Sequence, residues 1–484
     1  MNARRWAAAA ACLLLAHCAT VPGPQEIARQ REQVRAAREH GQQGYRESQA
    51  IVRRVDAGAG GGGGDFLQRH LDVEAAVSGA PLVGGNAVHL LADGPATYEA
   101  MERAIRAARH YVRMETYIFD DDEIGNLFAD LLIEKSRAGV DVAVAVDAVG
   151  TLATPDELFA RMREAGVKVL AFNPVNPLAA RGGWAVNRRN HRKVLVVDGR
   201  VGFLGGINVS DVYASSPAGS SGGSSGRGAG SSRDGGDGNG DGAGGPRQSP
   251  DRSAPWRDTH VEIRGPAVAE IESVFEAGWR EQDGPPLTVR GYLGGRPREQ
   301  GPLTVRILAN QPGAGDSYAI YLTLMSAISS AQQSIGVTMA YFVPDPAFVR
   351  ALEDAARRGV DVVLVLPGFS DSSLVFHAGR SHYGELMRAG VRIYERRDAL
   401  LHAKTVVIDG VWSTVGSSNM DWRSFALNHE INAVVLGREF GAQMQALLQR
   451  DVAASRRIDP RQWERRPVSD RLMEAFARIF ERWL

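Results

Sequence analysis

Cysteine is nearly absent. Among 484 residues only Cys12 and Cys18 are cysteines, both within the first eighteen positions. The rest of the chain therefore has no disulfide framework and no cysteine-based zinc site. No sign of charge prevails either, because 56 Lys+Arg face 56 Asp+Glu. A net charge of zero argues against whole-surface attraction to nucleic acid and still allows a local basic site. Long apolar runs are missing too. The run Trp6–Ala16 falls short of the ~20 residues needed to cross a bilayer, which excludes a multi-span membrane protein. With 44% hydrophobic and 23% charged residues, the chain is neither mostly disordered nor collagen-like. Its length allows two to four domains with real cores.

Glycine is the residue in surplus, and the surplus is local. Of 55 glycines, 13 fall in Gly219–Gly245 and 6 in Gly58–Gly64. The composition of Gly58–Gly64 predicts a linker following a polar helix over 25–55. Ser215–Ala254, rich in Gly, Ser, Asp and Arg, cannot bury enough apolar surface to order itself. It reads as a surface insertion inside a domain. At the start, Arg4 and Arg5 precede the short apolar run, the pattern of an export or anchoring signal. Leu15-Ala16-His17-Cys18 resembles a bacterial lipoprotein box, with His17 departing from the small residue of that pattern. The resemblance implies a protein at the bacterial cell membrane, peripheral or lipid-anchored through Cys18; a short uncleaved anchor is the alternative.

The body contains an internal repeat. Ala104–Ala108, then Val112–Phe119, a helix near Leu127–Ala138, and Gly139-Val140-Asp141 form one copy. Ala327–Ala331, then Ser334–Phe342, a helix near Phe348–Arg358, and Gly359-Val360-Asp361 form the other. Apolar strand-like runs alternate with helical periodicity in both, which predicts α/β layering. Two similar halves suggest a pseudo-twofold pair of domains sharing one site at their interface.

Each half carries the same polar signature. His191, Lys193, Asp198-Gly199, Gly205-Gly206 and Asn208 match His402, Lys404, Asp409-Gly410, Gly416-Ser417 and Asn419 at identical spacings. His and Lys two apart on a strand share a face. Asp-Gly is a preferred hairpin turn, so the two aspartates read as turn residues. The returning strand then brings glycine and asparagine back beside His and Lys, making an anion cradle that contains an imidazole. A metal ion does not suit this set, because each lysine would repel a divalent cation.

These motifs resemble the paired HKD motifs of the phospholipase D superfamily. HRKVLVVDG with GGIN, and LHAKTVVIDG with VGSSNMDWRSF, carry the likeness. METYIF, YFVPD, RGVDVVLVLP, WRDTHVEIRGPAV and LNHEINAVV are similar to flanking sequences of the bacterial cardiolipin synthase subfamily. The likeness runs from about Val88 to Leu484, apart from the insertion. It implies two phospholipase D-like α-β-α domains, at 76–300 (with the insertion at 215–254) and 301–484, preceded by a signal-type segment at 1–18 and a polar helix and linker at 19–75.

The resemblance also implies chemistry. One histidine attacks the phosphodiester and forms a phosphatidyl-histidine, while the other serves as general acid and then base. His191 is assigned as nucleophile and His402 as acid/base by resemblance alone. Lys193, Lys404, Asn208, Asn419 and Ser417 would stabilise charge on the phosphoryl oxygens. Each histidine needs an orienting carboxylate. The family places one at Glu430, 28 residues after His402, and its first-half counterpart is Asp258, 67 residues after His191. The surplus of 39 residues matches the 40-residue stretch Ser215–Ala254.

The implied reaction joins two phosphatidylglycerol molecules into cardiolipin and releases glycerol at a membrane surface, with no metal or organic cofactor. Hydrolysis of a phospholipid or, less in keeping with the neutral charge, of nucleic acid is the alternative within the family. A lipoprotein that binds anionic headgroups without turnover is the alternative from another class. Elsewhere, Glu115, Tyr117 and Tyr341 either line the pocket mouth or are structural. Arg181, Trp184, Arg188 and Arg189 form either a headgroup approach or a solvated basic loop. Leu472, Phe476, Ile479, Phe480 and Trp483 make an apolar helical stripe, expected to dock on the core and otherwise to meet a membrane.

Overall fold

The computed structural model describes residues 39, 41–56, 65–77, 79–175, 188–216, 254–287, 298–312 and 318–481. The lipoprotein-type segment 1–18 with Cys18, the run Gly58–Gly64, positions 217–253 of the insertion, Arg181, Trp184 and Trp483 lie outside the described residues.

The strands of the first half are β1 (Val83–Leu91), β2 (Tyr111–Thr116), β3 (Asp141–Asp147), β4 (Lys168–Phe172), β5 (Val194–Val197), β6 (Val201–Gly205), β7 (Trp256–Arg257) and β8 (His260–Arg264). Those of the second are β9 (Leu303–Asn310), β10 (Ser334–Met339), β11 (Phe342–Val343), β12 (Asp361–Pro367), β13 (Arg392–Arg396), β14 (Leu400–Leu401), β15 (Lys404–Ile408), β16 (Trp412–Gly416), β17 (Met420–Asp421), β18 (Glu430–Leu436) and β19 (Ser455–Arg457). Fifteen of them form one mixed sheet in the order β19-β13-β12-β10-β15-β16-β18-β9-β1-β8-β6-β5-β2-β3-β4. Read outward from the antiparallel β9–β1 seam, the order is palindromic, with β19 as an added edge strand. The repeat in the sequence is thus a pseudo-twofold pair of α/β halves.

Helices cover both faces, so the strands are buried on both sides and read as continuous apolar runs. Gly94–Ala107 and Glu123–Arg137 pack on one face of the first half, and Ala319–Ser330 and Pro346–Arg357 on that of the second. The opposite face carries Val268–Glu281 and Arg438–Ala453 over a core spanning both halves. The turns linking β5 to β6 and β15 to β16 place Asp198 and Asp409 at φ 52°, followed by glycines at 60° and 63°. Each aspartate accepts three backbone N–H groups from the loop that enters β2 or β10. Both aspartates are turn residues.

Two terminal features depart from expectation. An unexpected helix, Phe66–Ala76, follows the run Gly58–Gly64 and sits on the second half. It buries His70, Val73 and Glu74. Leu67, Leu71 and Val73 pack on apolar neighbours, but buried His70 and Glu74 interrupt the apolar pattern. The helix Val468–Ile479 docks the other way round from expectation. Glu474 and Ala477 are buried, while Leu472, Phe476 and Ile479 are 66%, 53% and 70% exposed.

Candidate active site

Each histidine stands just before its strand, in a segment that runs parallel to the other half. His191 N–H donates to the His429 carbonyl at 2.9 Å, and His402 N–H donates to the Arg257 carbonyl at 2.8 Å. On one side this is a bridge between Asn190 and His429; on the other, β14 pairs with β7, Leu401 opposite Arg257. The residue after His429 is Glu430, and the residue after Arg257 is Asp258. Backbone pairing therefore delivers each carboxylate to the opposite half's histidine. His191 Nδ1 lies 3.1 Å from both Glu430 oxygens, and His402 Nδ1 lies 2.6 Å from Asp258 Oδ2. Sequence order alone would pair each carboxylate with the histidine of its own half; the structure crosses them.

The lysines close the arrangement. Lys193 Nζ donates to the His191 carbonyl at 2.5 Å and faces the Tyr117 ring. Lys404 Nζ contacts the His402 carbonyl and lies 2.9 Å from His402 Nδ1. All four residues are buried or nearly so, with the His191 side chain 14% exposed. Burial lowers the His191 pKa against the opposing pull of Glu430, and burial with Lys404 pushes His402 down to about 4. Burial likewise brings Lys193 down to about 7 and Lys404 to about 8. For Asp258 and Glu430, burial works upward, but the neighbouring His and Lys charges and hydrogen bonds prevail and hold both carboxyls below their usual range. Lys404 depresses His191 and Lys193 depresses His402, so the two sets share one site.

The remaining candidates occupy distinct positions. Ser417 Oγ donates to Glu430 Oε2 at 2.5 Å, so this hydroxyl braces the carboxylate. Gly206 is the first-half equivalent, where an added Cβ would stand 2.2 Å from Asp258 Oδ1. The shorter aspartate thus requires glycine where the longer glutamate admits serine. Asn208 accepts from Ile118 N–H at 3.1 Å and donates to Tyr213 Oη at 3.0 Å. Asn419 is buried, and its Oδ1 has no partner among the described residues. Tyr117 packs edge-on against His191 at 5.3 Å. Buried Glu115 accepts from Asn190 at 2.5 Å beneath the site, and Tyr341 Oη donates to Asp371 at 2.7 Å. Arg189 is buried against Asp147 and the Asn173 carbonyl, a structural placement rather than a solvated loop.

Sequence reasoning missed two aromatic residues. Tyr213 Oη lies 3.3 Å from His402 Nδ1, and the Trp256 ring centre is 5.1 Å from that imidazole. They border the glycine-rich insertion on either side, and excising the insertion from the sequence would have brought them together beside Asn208 and Asp258.

A protein-family model described as "Cardiolipin synthase, PLD-like domain" matches residues 101–215 and 324–452, one segment in each half. The cardiolipin synthase of Alkalihalophilus pseudofirmus is 32% identical over 401 residues, covering 82% of this chain and 72% of the relative. Cardiolipin synthase A of Pseudomonas fluorescens is 36% identical over 385 residues, covering 78% and 71%. Among solved structures, phosphatidylserine synthase of Haemophilus influenzae superposes with a TM-score of 0.59 at 13% identity, covering 87% of this chain and all of that one. The last likeness is one of fold.

Proposed function

We propose, from the premise that the chain belongs to the cardiolipin synthase, PLD-like family, that it transfers a phosphatidyl group between two phosphatidylglycerol molecules, making cardiolipin and releasing glycerol. The observation that carries this reading is the crossed pair of histidine–carboxylate contacts, with Lys193 on the His191 carbonyl and Lys404 at the His402 imidazole. An Nδ1–H held by Glu430 leaves His191 Nε2 free to attack phosphorus, breaking the bond to the glycerol headgroup. His402 protonates the departing alkoxide and later takes the proton from the incoming hydroxyl. A bound phosphodiester anion offsets the lysine charge that depresses His402, raising its pKa toward the range an acid needs. Lys193, Lys404 and Asn419 supply donors or positive charge to the phosphoryl oxygens. Ser417 and Asn208 act through Glu430 and Tyr213.

The same reading makes 76–300 and 301–484 the two catalytic domains and 215–254 an insertion whose removal leaves activity largely intact. It places the protein at the bacterial membrane with Cys18 as acyl acceptor, so labelling by a fatty-acid analogue should vanish in Cys18→Ala. The principal test supplies purified full-length protein with phosphatidylglycerol and resolves the lipids. Cardiolipin and free glycerol in equal amounts are expected; phosphatidic acid alone would replace transfer by hydrolysis. A phosphatidyl adduct trapped on His402 would reverse the two histidine roles.

A further inference from the structure

The helix Val468–Ile479 turns Glu474 inward and an apolar stripe outward. Glu474, buried, accepts from Arg466 at 2.7 Å and lies 3.6 Å from Arg380 Nε. Arg478 reaches Glu385 at 3.4 Å, and His382 pairs with Glu481 at 3.4 Å. These ion pairs fix the rotation of the helix about its axis. Val468, Leu472, Phe476 and Ile479, which share one side at helical spacing, are left exposed. Arg471, beside Leu472 on the same helix, is exposed, as are Arg461 and Arg465 in the segment that leads into it.

Two observations say what covers the stripe. An anionic bilayer surface complements the apolar stripe and the exposed arginine beside it together. The helix is also linked to the site through intervening strands. Asn419 leads into β17, which pairs with β11, and Val343 of β11 packs against Ala378 and Ala477. Tyr341, just before β11, is hydrogen-bonded to Asp371, immediately before the helix Ser373–Arg380 on which the terminal helix lies. Among the described residues no helix is long and apolar enough to cross a membrane.

We infer that Val468–Ile479 is an interfacial helix that seats its Leu472/Phe476/Ile479 side in an anionic bilayer and sets the rim of the site against the lipid surface. The inference deepens the lipid-transfer reading and rests on it for its purpose, but membrane binding is measured separately from turnover. The experiment floats the full chain carrying Cys18→Ala, so that no acyl group anchors it, with vesicles of phosphatidylglycerol in phosphatidylcholine, and with phosphatidylcholine alone. The triple variant Leu472→Ser, Phe476→Ser, Ile479→Ser should bind anionic vesicles roughly tenfold more weakly or worse. It should turn over micelle-dispersed phosphatidylglycerol at the unaltered rate. In Ile479→Trp, the added indole emission should shift to the blue with anionic vesicles. Undiminished flotation of the triple variant, or an indole that stays solvent-like, would overturn the inference. So would a dimer that the triple substitution converts to monomer, which would make the stripe a contact between copies. Loss of micellar turnover in every form, with vesicle binding intact, would count against the transfer reading alone.

Discussion

The two halves share a backbone and differ in what lies on their outer faces. In the second half, Trp412 stands opposite Leu436 and Arg306 opposite Val434, and the helix Phe66–Ala76 covers them. Glu74 of that helix bonds Arg306 at 2.9 Å and Trp412 Nε1 at 2.8 Å, and His70 lies 3.1 Å from Asp409. In the first half the same register places Val201 opposite Arg264 and His89 opposite Glu262. There an open hollow of about 850 Å³ is lined by Arg103, Arg109, Arg200 and Arg264. A face therefore takes its side chains from what covers it: apolar and paired under a helix, charged where it meets water. Near the histidines the halves converge again, because both imidazoles contribute to one site. Substitutions should accordingly act symmetrically at the centre and asymmetrically outside.

The largest effect tests the symmetric part. His191→Ala and His402→Ala should each lower cardiolipin formation by roughly 10³-fold or more, since neither imidazole can take both roles. Substantial turnover in either variant would show that one half works alone. The carboxylates extend the test. Glu430→Gln and Asp258→Asn should each cost roughly 10²- to 10⁴-fold by losing the group that orients the imidazole. Crossing makes a sharper demand. Burial lowers the His191 pKa and Glu430 opposes it, so Glu430→Gln should move the His191 titration to still lower pH. His402 should titrate nearly as before, because its partner is Asp258. Imidazole NMR titrations of the two variants would show the reverse if each carboxylate served the histidine of its own half.

The next effect tests the asymmetric part. Glu74→Ala removes the carboxylate partner of Arg306, a guanidinium only 4% exposed, and leaves it only the backbone carbonyl of residue 74. Stranding that charge should cost about 3–5 kcal/mol in chemical denaturation. His89, the first-half counterpart of Arg306, is exposed on the open face. His89→Ala should stay within about 0.5 kcal/mol. Comparable losses would mean that the first-half hollow is also covered in solution.

These contrasts also show what could be read from the sequence. The repeat, its α/β layering and the residues gathered around the imidazoles follow local spacing, and local spacing is legible. Even Asp258 could be located, because the insertion's length restored its register. The crossing was not legible, since it depends on Leu401 pairing with Arg257 across 144 positions. Phe66–Ala76 was hidden because its buried contacts include His70 and Glu74, residues that patterning assigns to solvent. The terminal helix followed the same logic in reverse. Its apolar side suggested a docked face, but Arg380 and Arg466 hold Glu474 inward.

The smallest effect separates the two turns. Asp198 and Asp409 each accept three backbone N–H groups, but only Asp409 also meets a histidine of the covering helix. Asp409→Asn should cost about 1–3 kcal/mol at pH 7 by weakening charge-assisted bonds, and Asp198→Asn somewhat less. Burial raises the Asp409 pKa, but the His70 contact and the N–H donors outweigh it, so the carboxyl sits below its usual range. Its stabilisation is therefore complete above the unfolded value near 3.8 and is lost as pH falls through the lower folded value. Denaturation midpoints of wild type and Asp409→Asn should differ at pH 7 and converge only on the acid side of that window. A gap that already closes between pH 7 and 5 would show that the stabilisation does not come from the Asp409 carboxylate.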